Sequence, residues 1–145
     1  MNTADYNKPL PQPDSDSKRF WDGCKEHKLF IQKCSSCGTY RFPAKPMCFN
    51  CQSMDFDWEE VQGCGKIYNW VIVHYSPKEH GFSGDVPYAV VYVQLDGHKS
   101  MRMCGNLIDC KNEDIYPDMP VEVVFDDVTQ EVTLPKWRPV KSSDK

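Results

Sequence analysis

Two pairs of cysteines constrain this chain more than any other feature: Cys34-Ser-Ser-Cys37 is followed, ten residues later, by Cys48-Phe-Asn-Cys51. Each pair can aim two sulfurs at one point if the backbone between them makes a tight knuckle. Two such pairs offer four soft thiolates to a tetrahedral centre, the donor set of zinc or of a single iron. Gly38, directly after Cys37, supplies the permissive backbone the first knuckle needs, and Asn50 is placed to support the second. Disulfides are the weaker reading, because two residues is a cramped spacing for a bridge and the first twenty residues hold no apolar run of the kind that directs export. Thioredoxin-like redox chemistry uses one Cys-x-x-Cys in a βαβ setting, and here the pairs are doubled with no such setting around them. A zinc with four thiolates has no open position for substrate or water, so the site is structural and function is expected elsewhere. An electron carrier with iron in the same place is the variant that colour and elemental analysis would separate.

A metal-closed ribbon needs little core, which leaves about ninety residues after Cys51 for a hydrophobic domain. No segment approaches the eighteen or more apolar residues of a membrane helix, so the expectation is a cytoplasmic protein without a membrane partner. The net charge of −4 conceals a division. From Lys18 to Cys51 seven Lys or Arg face two acids, whereas from Gln52 to Pro135 five face fifteen, a deficit of ten positive charges. Residues 136–145 return to a surplus of three. An acidic body repels a polyanion, which disfavours extended nucleic-acid binding and leaves room for a small anion held by the ribbon and the end of the chain.

In chain order, Met1 to Gln12 carries Pro9 and Pro11 without hydrophobic periodicity and reads as a flexible or extended arm. N-cap candidates at Asp14–Ser17 precede Phe20, Trp21 and Cys24 on neighbouring helical positions, predicting a helix over 15–26 whose narrow apolar face the ribbon or a partner must cover. Leu29–Lys33 and Tyr40–Pro43 form a ribbon hairpin, and Asp55–Glu60 is a further strand. Gly63-Cys64-Gly65 reads as a hinge between modules. Beyond it lie strands at Lys66–His74, Pro87–Leu95, Lys99–Gly105, Val121–Phe125 and Glu131–Leu134, with a loop over Ser76–Asp85, an irregular stretch over Asn106–Met119 and an Asp126-Asp127 turn. Five short antiparallel strands at this spacing suit a small closed barrel of the OB type. The chain is thus mainly β: a flexible arm over 1–16, helix and zinc ribbon over 17–62, an OB-fold over 63–140 and a tail over 141–145.

These segments in this order resemble a known family, the acyl-CoA-associated small proteins that join a rubredoxin-like zinc ribbon to an OB-fold. The matching residues are Phe20-Trp21, the run Gln32 to Gly38, Arg41-Phe42-Pro43, Cys48 to Cys51, Gly63 to Ile67, Pro87 to Val90, Leu95-Asp96-Gly97 and Leu134 to Pro139. The resemblance implies one structural zinc on Cys34, Cys37, Cys48 and Cys51, and a subunit with no catalytic residues of its own bound to a thiolase-fold large subunit. Relatives accompany acetoacetyl-CoA thiolases, steroid side-chain retro-aldolases, phloroglucinol acyltransferases and the benzoylsuccinyl-CoA thiolase of anaerobic toluene breakdown. The large partner would supply the nucleophile and the acid/base groups, and this chain would complete the assembly and help hold coenzyme A or acyl-CoA.

Coenzyme A presents phosphates and an adenine face, which call for cations beside apolar planes. Arg41, Phe42 and Lys45 on the ribbon and Trp137 and Arg138 near the end of the barrel are the candidates. His27, His74, His80 and His98 are scattered outside any metal or nucleophile motif, and His80, in the Pro- and Gly-bearing loop, is the one to test. The rival class is a nucleic-acid-binding ribbon and OB module, for which Tyr68, Trp70, Tyr88 and Tyr92 would be the stacking aromatics.

Overall fold

A computed structural model describes residues 6–140 and shows one helix and two sheets. Helix α1 (Lys18–Lys25) starts later than its cap signals suggest. The Asp14 carboxylate accepts the N–H groups of Asp16 and Ser17 at 3.0 and 2.8 Å, so residues 15–17 form a turn before the helix instead of its first turn. The helix ends where His27 takes a left-handed conformation (φ 60°), with the N–H of Lys28 donating to Gly23 and that of His27 to Cys24.

Strands β1 (Leu29–Cys34), β2 (Tyr40–Arg41) and β3 (Phe56–Val61) make a three-stranded antiparallel sheet in the order β2-β1-β3, and β1 runs alongside β3 from Leu29 opposite Val61 to Cys34 opposite Phe56. The second sheet contains β4 (Cys64–Val73), β5 (Tyr88–Leu95), β6 (Arg102–Asn106), β7 (Pro120–Asp127) and β8 (Thr133–Pro139) in the order β6-β5-β4-β7-β8. A parallel bridge from Leu107 to Trp137, with the N–H of Ile108 donating to the Trp137 carbonyl at 2.8 Å, joins the outer strands and closes the barrel.

Three readings change. The expected turn at Asp126-Asp127 is strand, and the reversal falls at residues 128–132, where Thr129 Oγ1 accepts the N–H groups of Glu131 and Val132. The last strand runs on to Pro139. Its prolines are tolerated because β8 lies at the end of the hydrogen-bonded order, where a missing N–H costs no ladder bond. Gly63-Cys64-Gly65 is no hinge: Cys64 and Gly65 already pair with Glu122 and Val121 of β7. The glycines serve close approach. A Cβ on Gly63 would collide with Val123 Cγ1, and one on Gly65 would collide with the Gln94 carbonyl oxygen.

The core accordingly crosses the junction. Leu29, Ile31 and Val61 of the ribbon sheet, Phe20 and Cys24 of α1, and Ile67, Val91, Val121 and Trp137 of the barrel belong to one buried cluster. Phe20 packs edge-on against Trp21 (5.0 Å between centroids) and tilted on Phe42 (5.2 Å), so this chain's own elements cover most of the helix's apolar face. His27 at the helix end stacks on Phe125 of β7, with Nε2 3.0 Å from Asp127. Residues 6–14 of the arm form neither helix nor strand and are anchored on the barrel side: Lys8 pairs with Asp85 at 2.9 Å, and a Cβ on Gly81 would lie 2.6 Å from the Asn7 carbonyl. Residues 1–5 of the arm and the 141–145 tail lie outside the described residues.

Because the atom facing Gly65 is backbone and cannot swing aside, Gly65→Ala should destabilise the fold by about 1–3 kcal/mol in urea unfolding. An unchanged midpoint would restore the hinge.

Candidate metal centre

The first knuckle closes with the Gly38 N–H donating to the Cys34 carbonyl at 2.9 Å and the Cys34 N–H to that of Thr39 at 2.8 Å. The second repeats it: the Gln52 N–H donates to Cys48 and the Cys48 N–H to Ser53, both at 2.9 Å. Gly38 (φ 77°) and Gln52 (φ 63°) occupy the same left-handed position, so the special backbone of the second knuckle falls on Gln52 and not on Asn50. Asn50 contributes differently. Its N–H donates to Cys48 Sγ at 3.4 Å and its side-chain amide to Cys37 Sγ at 3.5 Å.

All four sulfurs lie within 4.8 Å of one another, with Cys34 and Cys51 3.6 Å apart and Cys37 and Cys48 3.7 Å apart. Sulfurs at about 2.3 Å from a tetrahedral zinc would be separated by about 3.8 Å, a spacing the two close pairs nearly reach, so the donor set fits one zinc with small adjustments. Contacts with Thr39 Oγ1 at 3.1 Å and with Asn50 bring the Cys37 thiol down to about 5. The backbone N–H of Cys37 lowers Cys34. The Ser53 N–H favours the Cys51 thiolate, but burial and the sulfurs of Cys34, Cys37 and Cys48 outweigh it and push Cys51 up to about 12. Four thiolates this close repel one another, and such a set needs a cation before all can be charged together. Among the described residues this is the one group of three or more side chains able to hold a metal. Cys24 is fully buried, its thiol pushed up to about 12 by burial, and belongs to the helix packing.

The connection between the knuckles is fixed from β1 and β2. Gln32 and Arg41 stand opposite each other and are both buried. Gln32 Oε1 accepts the Lys45 N–H at 2.9 Å, and Arg41 Nε donates to the Lys45 carbonyl at 3.0 Å while its guanidinium lies 4.8 Å over the Phe56 ring. The pair grips both backbone groups of Lys45 as a neighbouring strand would. Nothing in the sequence around Gln32 signals this, since a buried glutamine is recognisable only once its partner is known.

The five residues expected at coenzyme A are not brought together on one exposed face. Trp137 has no exposed surface and fills the barrel, Arg41 is 3% exposed, and Phe42 packs on Phe20. Lys45 and Arg138 are exposed; Arg138 Nε donates to Glu122 at 2.8 Å, and Lys45 has no carboxylate partner among the described residues. His80 ends an exposed 3-10 turn, and His98 packs edge-on against Tyr40 at 4.5 Å.

Residues 21–57 match the family described as the ChsH2 rubredoxin-like zinc ribbon domain, and residues 58–126 match the ChsH2 C-terminal OB-fold domain. A DUF35 domain-containing scaffold protein of Methanocaldococcus jannaschii is 36% identical over 74% of each chain. This chain belongs to the DUF35 family of ChsH2-type zinc-ribbon and OB-fold proteins. A probable enoyl-CoA hydratase alpha subunit of Thermomonospora curvata is 32% identical over 91% of this chain, which spans 40% of that relative's length. A solved chain described as Ltp2-ChsH2(DUF35) aldolase superposes with a TM-score of 0.80 at 32% identity, covering 90% of this chain and 98% of that one. Together, the ribbon match and the four converging cysteines support a structural zinc. No helix among the described residues is long and apolar enough to cross a membrane.

Cys48→Ser should lose stoichiometric zinc by elemental analysis, since a structural site contributes on the order of 10 kcal/mol of folding free energy. Because protons compete for the thiolates, zinc should be released progressively on acidification and retained above neutrality. The shared core adds a stronger expectation: chelation should lower the melting temperature of the barrel along with the ribbon, and a barrel transition unmoved by chelator would show two independent modules.

Proposed function

We propose that this DUF35 chain is a non-catalytic subunit of an acyl-CoA enzyme complex, bound to a thiolase-fold partner that performs the chemistry, with this chain completing the assembly and contacting coenzyme A. The likeness to the DUF35 chain of the Ltp2-ChsH2 aldolase over nearly that chain's whole length carries the reading. The metal centre agrees with it. Four cysteines fill a tetrahedron, leaving no position from which a zinc could polarise a carbonyl or activate water. The histidines are dispersed; His27 pairs with Asp127 at 3.0 Å, but both side chains are more than half exposed and the imidazole lies flat on Phe125 at the helix end.

For contact with coenzyme A, the placement of the five candidates divides their roles. Lys45 and Arg138 are the cations available to phosphate, whereas Arg41, Phe42 and Trp137 hold the surfaces that present them. The expected phosphate contact therefore narrows to these two side chains on the complex.

The purified chain should show no turnover with acyl-CoA substrates and should confer it, or raise it at least tenfold, when co-expressed with a thiolase-fold enzyme from a neighbouring gene; turnover by the chain alone would overturn the proposal. In the active complex, Lys45→Ala and Arg138→Ala should each weaken acyl-CoA binding about three- to tenfold without loss of assembly, measured by titration. Unchanged affinity in both would remove coenzyme A contact from this subunit's role.

A further inference from the structure

Strand β4 is ten residues long, and β5 pairs with it from Gly65 to Val73. On its other side β7 accompanies only Cys64 to Lys66; the carbonyl of Ile67 then accepts the Asp118 N–H at 2.9 Å, its N–H donates to Met119 at 3.0 Å, and no further strand follows among the described residues. From Tyr68 to Val73, past a bulge between Ile67 and Asn69, one side of β4 is an open edge of a hairpin that has lost its third strand. Two strands alone are marginally stable in water.

Among the described residues the other free edges are blunted, that of β7 beyond Val123 by Asp126 and Asp127. Strand β3 carries Asp57, Glu59 and Glu60, β8 carries Pro135 and Pro139, β2 is two residues long, and β6 is closed onto β8 through Leu107 and Trp137. Tyr68-Asn69-Trp70-Val71-Ile72-Val73 has no charge, no proline and no glycine. Its side chains are poorly covered on both faces: Val71 is 60% exposed, Tyr68 51%, and Trp70 and Ile72 are half-buried. An edge that is long, apolar and unprotected is one that another chain can extend. A second copy of this chain is the less suitable occupant, because it would bring together two bodies that each carry ten excess negative charges between Gln52 and Pro135.

Resting on the proposed function, we infer that the Tyr68–Val73 edge of β4 is a strand-addition site that accepts an extended, apolar segment flanked by Lys or Arg from the enzyme subunit. Main-chain hydrogen bonds would supply the pairing, and alternate side chains of the incoming segment would cover Val71 on one face and Trp70 and Ile72 on the other.

The test is hydrogen–deuterium exchange of the zinc-loaded full chain, free and in its complex with the thiolase-fold enzyme, together with the affinity of Val71→Lys for that enzyme. Val71 is exposed, so the variant should fold and keep its zinc. Amides of 68–73 should exchange at least tenfold more slowly in the complex than in the free chain, and Val71→Lys should weaken assembly at least tenfold. A wild-type complex in which 68–73 exchanges as in the free chain, or one that Val71→Lys forms as tightly as wild type, overturns the site and leaves the subunit reading standing. Slow exchange of 68–73 in a free chain that sediments as a dimer assigns the edge to a second copy and overturns the occupant. Failure to bind any thiolase-fold enzyme overturns the proposed function and this occupant with it.

Discussion

Convergence of four sulfurs on one point holds the amino-terminal third of this molecule in place. The ribbon sheet is small, with one strand of two residues, and the link from Arg41 to Phe56 contains both cysteines of the second knuckle and no regular strand. Such a segment buries too little apolar surface to offset the entropy of ordering it, and small folds of this kind draw on metal for the difference. Matched backbone closures at Gly38 and Gln52, and the grip of Gln32 and Arg41 on Lys45, fix what the sulfurs leave free.

What the metal arranges, the glycines connect. Gly63 and Gly65 let β3 pass into β4 with side chains of β7 and the backbone of β5 against the main chain, and the cluster around Ile67 and Trp137 continues into Leu29 and Ile31 without a seam. Helix α1 spans the same junction, packing on β1 and reaching β7 and β8. The ribbon is therefore positioned on the barrel through shared packing and not through a tether.

The four cysteines of the metal site were legible in the sequence, because pairs at knuckle spacing admit few geometries, whereas the left-handed Gln52 and the grip of Gln32 on the connection were not. The barrel strands were legible from alternation and β-branched content, as in Tyr88–Leu95. Legibility failed where one residue type serves two purposes. Glycines flanking Cys64 signal flexibility when only the sequence is known, yet here they mark backbone contact, which depends on Val123 and Gln94 far along the chain. Prolines at 135 and 139 argue against a strand until its place at a sheet edge is known. Arg41 and Trp137 read as ligand-facing because charge and aromaticity are also what binding uses; one proved to be a brace and the other core. The Asp126-Asp127 pair, a turn signal by composition, sits in a strand because Asp127 takes the Thr133 hydroxyl and His27 as partners.

The seat of Trp137 also bears on the order in which the protein can be made. The indole packs beneath Gly105, a close neighbour it meets only after β7 and β8 have been synthesised, and the parallel bridge at Leu107 waits on the same residue. A ribosome therefore releases the knuckles, with everything they need to take up metal, about ninety residues before it releases the side chain that fills the barrel. During that interval Gly105 and Leu107 have no Trp137 to close against, and the nascent chain is a metal-closed ribbon carrying an unfinished sheet.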